Sequence, residues 1–409
     1  MTNRQASIKV IRRLHRNGFQ ALLAGGCVRD MLLGRRANDY DVATDAQPRD
    51  VIGLFRRTLK VGAQFGVVIV LIEGQQVEVA TFRTESGYAD GRHPGAVEFA
   101  NAAEDASRRD FTINGMFYDP LQKEVIDYVD GQADLKRKVV RTIGKPDERF
   151  AEDYLRMLRA VRFSTQLGFA IEPSTWSAIR SKAKNITRIS GERIAIELEG
   201  ILVNPNRAAG ASMLFKSRLG DVIFPGFTGR QAKSGIEVLG QLRKKVDFAL
   251  VLAGLFAGCE TEFALKSGRI LKPSRNLHKH LKFLLTNRGK LLDERMSLAQ
   301  LKKILAEPYF WDLYELQRAV QKARGDGRRS IAPLISLRKR IKALGDVELR
   351  PKPLLNGHDL IRLGAIPGPG LGQLAEEMYI AQLEGTLQTA QQAERWAQKW
   401  LQRHRIAEE

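Results

Sequence analysis

Cysteine is nearly absent. Cys27 and Cys259 are the only two in 409 residues, and they stand too far apart to suggest a motif. This argues against a disulfide framework or a cysteine-based zinc cluster and fits a reducing, cytoplasmic setting. Long apolar runs are also missing: no stretch reaches the roughly 20 apolar residues that a membrane-spanning helix needs. The N-terminus, MTNRQASIKVIRRLHRNG, is basic and amphipathic but lacks the apolar centre of a signal peptide. No repeat period emerges. Negative charge is in short supply, with 46 Asp and Glu against 66 Lys and Arg, a formal net charge of +20. Such a field gathers a polyanion such as RNA and makes its binding salt-sensitive. At 44% hydrophobic and 27% charged residues, the composition is that of a globular chain long enough for two to four domains.

The chemistry that is present concentrates first in LLAGGCVRDMLLGRRANDYDV, residues 22–42. Residues 19–24 read as a buried strand, Gly25-Gly26 as a tight turn, and residues 28–33 as a short helix stopped by Gly34. The next strand carries Asp39 and Asp41, and alternation along it places both on one face with Tyr40 opposite. Two hard carboxylates on one face suit one or two Mg²⁺ ions that keep substrate phosphates as further ligands. The glycine turn lets backbone N–H groups approach a phosphate, and Arg29 adds a charged donor. Cys27 reads as a small packed side chain rather than a catalytic thiol.

Around this centre, residues 5–17 place Ile8, Ile11 and Leu14 at helical spacing, and residues 48–59 predict a second helix. Residues 67–72 read as a fully buried strand, and residues 77–82 return as its hairpin partner. Glu78, the one charge among apolar neighbours there, is either a solvent-facing residue or a third carboxylate beside the aspartate pair. Residues 83–98 lack apolar periodicity and predict a mobile loop. In ASRRDFTIN, residues 106–114, the two arginines, Arg109 in particular, suit a triphosphate or ribose, while Asp110 or Asn114 can fix the following turn. A strand and turn at residues 127–131 bring this part of the chain to its close near Gly144.

Residues 149–163 read as one continuous helix on which Asp153, Arg156, Arg159 and Arg162 form a slanting polar ridge. Arginines at that spacing repel one another unless an anion lies along them. Cytosine and adenine each pair an amino donor with a ring-nitrogen acceptor, so a carboxylate beside an arginine is complementary to both. Guanine and uracil invert that order. Asp153 with Arg156 supplies such an edge, and Glu152 can hold Arg156 in place. Ser190 reads as a helix N-cap, with Glu192 and Arg193 an exposed pair. From residue 207 onward strands disappear and amphipathic helices recur, with basic clusters such as Arg243-Lys244-Lys245 offering a path for RNA.

The string GG-x-V-R-D…D-x-D, followed by RRDFTIN and E-D-x-x-R, resembles the class II branch of the nucleotidyltransferases, in the DNA polymerase beta superfamily. That branch holds tRNA CCA-adding enzymes and bacterial poly(A) polymerases. Gly115 and Gly191 stand where it usually has alanine. The resemblance implies an α+β architecture: a catalytic head with a small mixed sheet and flanking helices (1–145), a helical base-recognition neck (146–205), a helical RNA-binding body (206–350) and a helical tail for tRNA (351–409). It implies Asp39 and Asp41 as Mg²⁺ ligands; Glu78 is the candidate for a third catalytic carboxylate on the strand pattern alone. Gly25, Gly26, Arg29, Arg109, Asp110, Asn114, Glu152, Asp153, Arg156, Arg159 and Arg162 would form the nucleotide site, Arg159 and Arg162 touching phosphates or sugar. The reaction implied is addition of CMP, CMP and AMP to a tRNA 3′ end from CTP and ATP, the 83–98 loop taking part in the switch from C to A. The tail segment, residues 355–385, favours this over poly(A) tailing of other RNA 3′ ends; C-only or A-only addition are further alternatives. No membrane and no stable protein partner are implied.

Overall fold

The computed structural model describes residues 1–60, 65–86, 96–325 and 327–405. Contacts divide the chain into two compact parts, residues 1–239 with 244–275, and residues 240–243 with 276–409.

The first part is built on a seven-stranded mixed sheet. Helix α1 (Asn3–Arg16) is closed at its start by a capping box between Thr2 and Gln5 and buries Val10, Ile11 and Leu14. Strand β1 (Ala21–Ala24) is buried at every position. It runs into Gly25, whose φ of 75° is a left-handed conformation that glycine adopts without strain, and then into α2 (Gly26–Leu32). Strand β2 (Val42–Thr44) returns antiparallel to β1. Helix α3 (Pro48–Leu54) is shorter than the periodicity predicts. Phe55 turns extended, and Thr58-Leu59 peel off as an edge strand, β3, paired with Val70 and Ile69 of β4 (Val67–Ile72). β4 is not fully buried: Val68 and Val70 are, while the alternate residues remain part-exposed on the other face. β5 (Gln75–Thr81) pairs antiparallel with β4, as the hairpin pattern predicts, and parallel with β2.

The segment expected to be an unstructured loop is partly ordered. β6 (Arg83–Ser86) and β7 (Ala96–Phe99) form an antiparallel ladder, while residues 87–95, the rest of the predicted loop, lie outside the described residues. Helix α4 (Ala102–Ser107) follows, then a 3₁₀ turn over Thr112–Asn114, β8 (Phe117–Asp119), β9 (Glu124–Ile126) and α5 (Gly131–Arg137). The sheet order is β3-β4-β5-β2-β1-β8-β9. Gly115 closes the 3₁₀ turn. A Cβ there would come 2.7 Å from Val129 Cγ2 and 2.9 Å from Ile143 Cδ1.

Beyond the sheet, β10 (Val139–Val140) leads to α6 (Pro146–Glu152) and α7 (Leu155–Leu167), after which β11 (Ala170–Ile171) comes back parallel to β10. Helices α8 (Pro173–Lys182) and α9 (Gly191–Leu202) then pack alongside, with further helices over Arg207–Lys216, Leu219–Ile223, Phe248–Leu255 and Thr261–Ile270. Ser190 sits at the N-cap of α9 but makes no capping bond with its hydroxyl. Gly191 is there for space, because a Cβ would overlap the Ile270 carbonyl oxygen.

The second part has helices and connecting turns and no strand among its described residues. Leu355, Leu360, Leu374, Met378, Leu387, Ala393 and Ala397 form one buried cluster. Lys302 Nζ donates to the Leu383 carbonyl at 2.8 Å, and Glu384 accepts from Ala299 N at 2.8 Å, so the C-terminal end of helix Pro369–Leu383 is tied to helix Leu298–Leu305. No helix among the described residues is long and apolar enough to cross a membrane.

Candidate active site

A cleft of ≈ 470 Å³ opens in the first part of the chain, lined by Gly25, Gly26, Arg29, Asp41, Arg109, Asp110, Asn114, Asp153, Arg156 and Arg159. These residues come from three distant stretches. Arg108, Leu155, Phe163 and Arg193 line it as well.

Asp39 and Asp41 lie in the irregular segment leading into β2, one step short of the strand that alternation suggests. Ladder-type pairing still begins there, since Ala24 N donates to Asp41 O at 3.0 Å. Asp41 is solvent-accessible, yet enough protein surrounds it that lost hydration, followed by the charges of Glu78 and Asp39, pushes its carboxyl up from 3.8 to about 6, with Arg109 pulling the other way. Glu78 therefore belongs electrostatically to this carboxylate group although it is exposed on β5. Cys27 is buried and its thiol is pushed up to about 12, chiefly by burial and then by Asp41, which keeps it unreactive.

A hydrogen-bonded line joins the glycine turn to α7. Arg29 Nη1 donates to Asn114 Oδ1 at 2.7 Å, Asn114 Nδ2 to Asp110 Oδ1 at 3.2 Å, and Arg159 to Asp110 Oδ2 through Nε at 2.8 Å and Nη2 at 2.7 Å. Asp110 also accepts from Phe111 N at 2.8 Å, which fixes the turn that follows. Burial opposes ionisation of Asp110, but the Arg159 guanidinium more than offsets it and holds the carboxyl below the usual range. Asp110 is thus a strut for Arg159. Phe163, overlooked in the sequence because it reads as one more apolar residue of the helix, carries the Arg29, Arg159 and Arg162 guanidiniums at 5.3, 5.3 and 4.5 Å from its ring centre.

The expected continuous helix is broken at Asp153, whose backbone is extended (φ −148°, ψ 106°). Its side chain explains the break: Oδ1 accepts from Leu155 N at 3.0 Å, a local bond that competes with helix continuation. Oδ2 accepts from Arg193 Nη2 at 2.7 Å. Arg193 is therefore a cleft residue and not half of an exposed pair; Glu192 instead pairs with Lys272 at 3.2 Å. The ridge arginines are neutralised by the protein itself. Glu152 holds Arg156, with Arg149 on its other side at 2.9 Å. Glu197 holds Arg162 at 2.6 Å, which draws Arg162 away from the cleft lining. Arg156 Nη1 also donates to Arg149 O at 3.1 Å, leaving its Nε and Nη2 without a protein partner among the described residues.

The family described as Poly A polymerase head domain matches residues 21–141, and that described as probable RNA and SrmB-binding site of polymerase A matches residues 168–229. The CCA-adding enzyme of Lacticaseibacillus paracasei is 34% identical over 94% of this chain and 93% of its own, and that of Bacillus subtilis 46% identical over 54% and 55%. The crystal structure of the Bacillus stearothermophilus CCA-adding enzyme in complex with CTP superposes with a TM-score of 0.80 at 29% identity, covering 100% of this chain and 99% of that one. With its cleft chemistry, its fold and its relatives in agreement over nearly the whole length, the chain belongs to the CCA-adding enzymes, a family of nucleotidyltransferases.

Proposed function

We propose that this chain adds CMP, CMP and AMP in turn to the 3′ end of tRNA, consuming CTP and ATP and releasing pyrophosphate. One observation carries the reading: the cleft brings Asp41, with Asp39 and Glu78 acting on it, to the same cavity as Asp153 and Arg156. The relative solved in complex with CTP supports a nucleotide substrate.

Hard carboxylate oxygens whose mutual repulsion falls on Asp41 fit a divalent cation of the Mg²⁺ type, with Asp39 and Asp41 as its holders and Glu78 beside them. When bound, the ion would lower the pKa of the terminal ribose hydroxyl and stabilise the charge that develops on the leaving pyrophosphate. The protein's own part is positioning. Arg109 and the Gly25-Gly26 backbone receive the triphosphate, and Arg29 and Arg159 add positive charge at the cleft wall. Asp153 and the free edge of Arg156 face the base. Each Asp153 oxygen has a further lone pair, so it can accept the exocyclic amino group of cytosine or adenine while the Arg156 edge donates to the neighbouring ring nitrogen. Residues 1–145 act as head and 146–205 as neck in this scheme, with the basic helices beyond holding tRNA in the cytoplasm.

The test uses tRNA transcripts ending before the CCA end, after its first C, after its second C and after its A, each with CTP, ATP or both. CTP incorporation on the shortest, a single A afterwards, and a stop are the expected results. Long A tails on an unstructured RNA, without CTP incorporation on tRNA, would identify a poly(A) polymerase instead, and C addition alone a split activity.

A further inference from the structure

Asp105 lies on α4, ahead of the RRDFTIN string, and is 1% exposed. Its Oδ2 accepts from Arg109 through Nε at 3.1 Å and Nη2 at 2.9 Å. Its Oδ1 accepts from Arg108 through Nε at 2.9 Å and Nη2 at 2.7 Å, and from the backbone N–H of Arg83 on β6 at 3.3 Å. One buried carboxylate therefore grips two guanidiniums by their side edges, a geometry that fixes the plane as well as the position of each. Burial works against its charge, and Arg109 and then Arg108 more than offset that, so the carboxylate stays ionised.

The grip leaves Arg109 only one way to point. Nε and Nη2 are taken, while Nη1 has no protein partner among the described residues. It lies against the glycine turn, 3.0 Å from where a Cβ on Gly25 would be. The Phe117 ring also packs on the guanidinium, 5.0 Å from its centre. Arg109 also feels Asp41 electrostatically. A guanidinium released from Asp105 would be drawn toward the metal-holding carboxylates, where it would oppose the cation that they are there to hold.

We propose that Asp105 is the positioning residue of the triphosphate site: by clamping Arg108 and Arg109 edge-on it presents Arg109 Nη1 to the polyphosphate at the Gly25-Gly26 turn and stops that guanidinium from closing on Asp41. The proposal rests on the nucleotidyl-transfer reading of the cleft. It separates two functions in neighbouring residues, since Asp105 governs how strongly phosphates are held while Asp153 and Arg156 govern which base is chosen.

The experiment is equilibrium binding of CTP, ATP and CMP to the full-length protein with Mg²⁺ and no tRNA. Asp105→Asn keeps the shape and removes the charge. It should weaken CTP and ATP alike by about tenfold or more and CMP by less than about twofold, as expected for losing charge-assisted bonds that act on the outer phosphates. Asp105→Glu keeps a buried charge, which guards against the Asn variant failing to fold, yet shifts both guanidiniums. It should weaken CTP several-fold with CMP again nearly unchanged. Equal losses for CTP and CMP in either variant, or no loss for CTP, would overturn the proposal. Wild-type protein that binds CTP no more tightly than CMP would overturn the reading of the cleft itself.

Discussion

Arg193 and Asp153, forty residues apart in sequence, meet at 2.7 Å on the wall of the cleft. Asp153 has left the helix at that point, so α9, which carries Arg193, fixes the direction of its carboxylate, together with the Leu155 N–H.

Removing that support should blur the choice of base. In Arg193→Ala, Asp153 keeps its charge but loses its orientation. A base-edge contact is worth roughly 1–3 kcal/mol of discrimination, so the preference for CTP over UTP is expected to fall by about tenfold, with a smaller change in the affinity for triphosphate as such. Competition assays with the four nucleotides measure this. Unchanged preference would make the ion pair purely structural.

The Arg159 and Asp110 pair gives a second expectation. The Asp110 side chain is only 10% exposed, so deleting its cation in Arg159→Ala leaves an unpaired carboxylate and should cost about 3 kcal/mol. Asp110→Asn placed in that background should recover part of the loss, because the stranded charge is gone. Thermal melting of both single variants and the double variant reads the coupling. Strictly additive losses would show that the two side chains act independently.

Asp41 yields a pH and metal prediction. Its folded value of about 6 lies above the ordinary 3.8. Between those values the folded state binds the extra proton. Stability contributed by this group therefore falls as pH rises through that window, and the deficit is complete above it. Asp41→Asn removes the deficit, so the metal-free variant should melt above wild type near about pH 7.5 and match it toward about pH 4. Mg²⁺ should raise the melting point of wild type and leave the variant almost unmoved. A variant that melts lower than wild type without metal would show that the carboxylates are not held against their repulsion.

Much of this site could be read from the chain because its parts are local strings. Gly25-Gly26, the Asp39 and Asp41 pair, RRDFTIN and the Glu152, Asp153, Arg156 group each carry their chemistry within a few residues, and the structure gathers most of them around one cavity. Most of what escaped was long-range. Periodicity predicts a helix through Asp153 because apolar spacing takes no account of the local bond from Leu155 N to its carboxylate, and nothing nearby announces Arg193. Arg162 looks available until Glu197 arrives from α9. Asp105 is an ordinary acidic residue of a short helix until both arginines fold back onto it. The C-terminal end of α3 and the ladder at Arg83–Ser86 escape for the same reason: they depend on a partner strand, not on the segment's own pattern.

The pairing of Val139 and Val140 with Ala170 and Ile171 means that the stretch matched by the head-domain family is not a cassette. The family match to the head ends at residue 141, but the chain folds back across that border. Arg159 Nη2 lies 2.7 Å from Asp110 Oδ2, and Phe111 packs edge-on against Phe163 with ring centres 5.7 Å apart. A fragment cut near residue 145 would lose the mate of β10, the ring beneath three guanidiniums and the cation opposite Asp110. Recombination that trades this stretch between relatives keeps the contacts of Asp110 with Arg159 and of β10 with β11 intact only if the donor's residues run through Ile171.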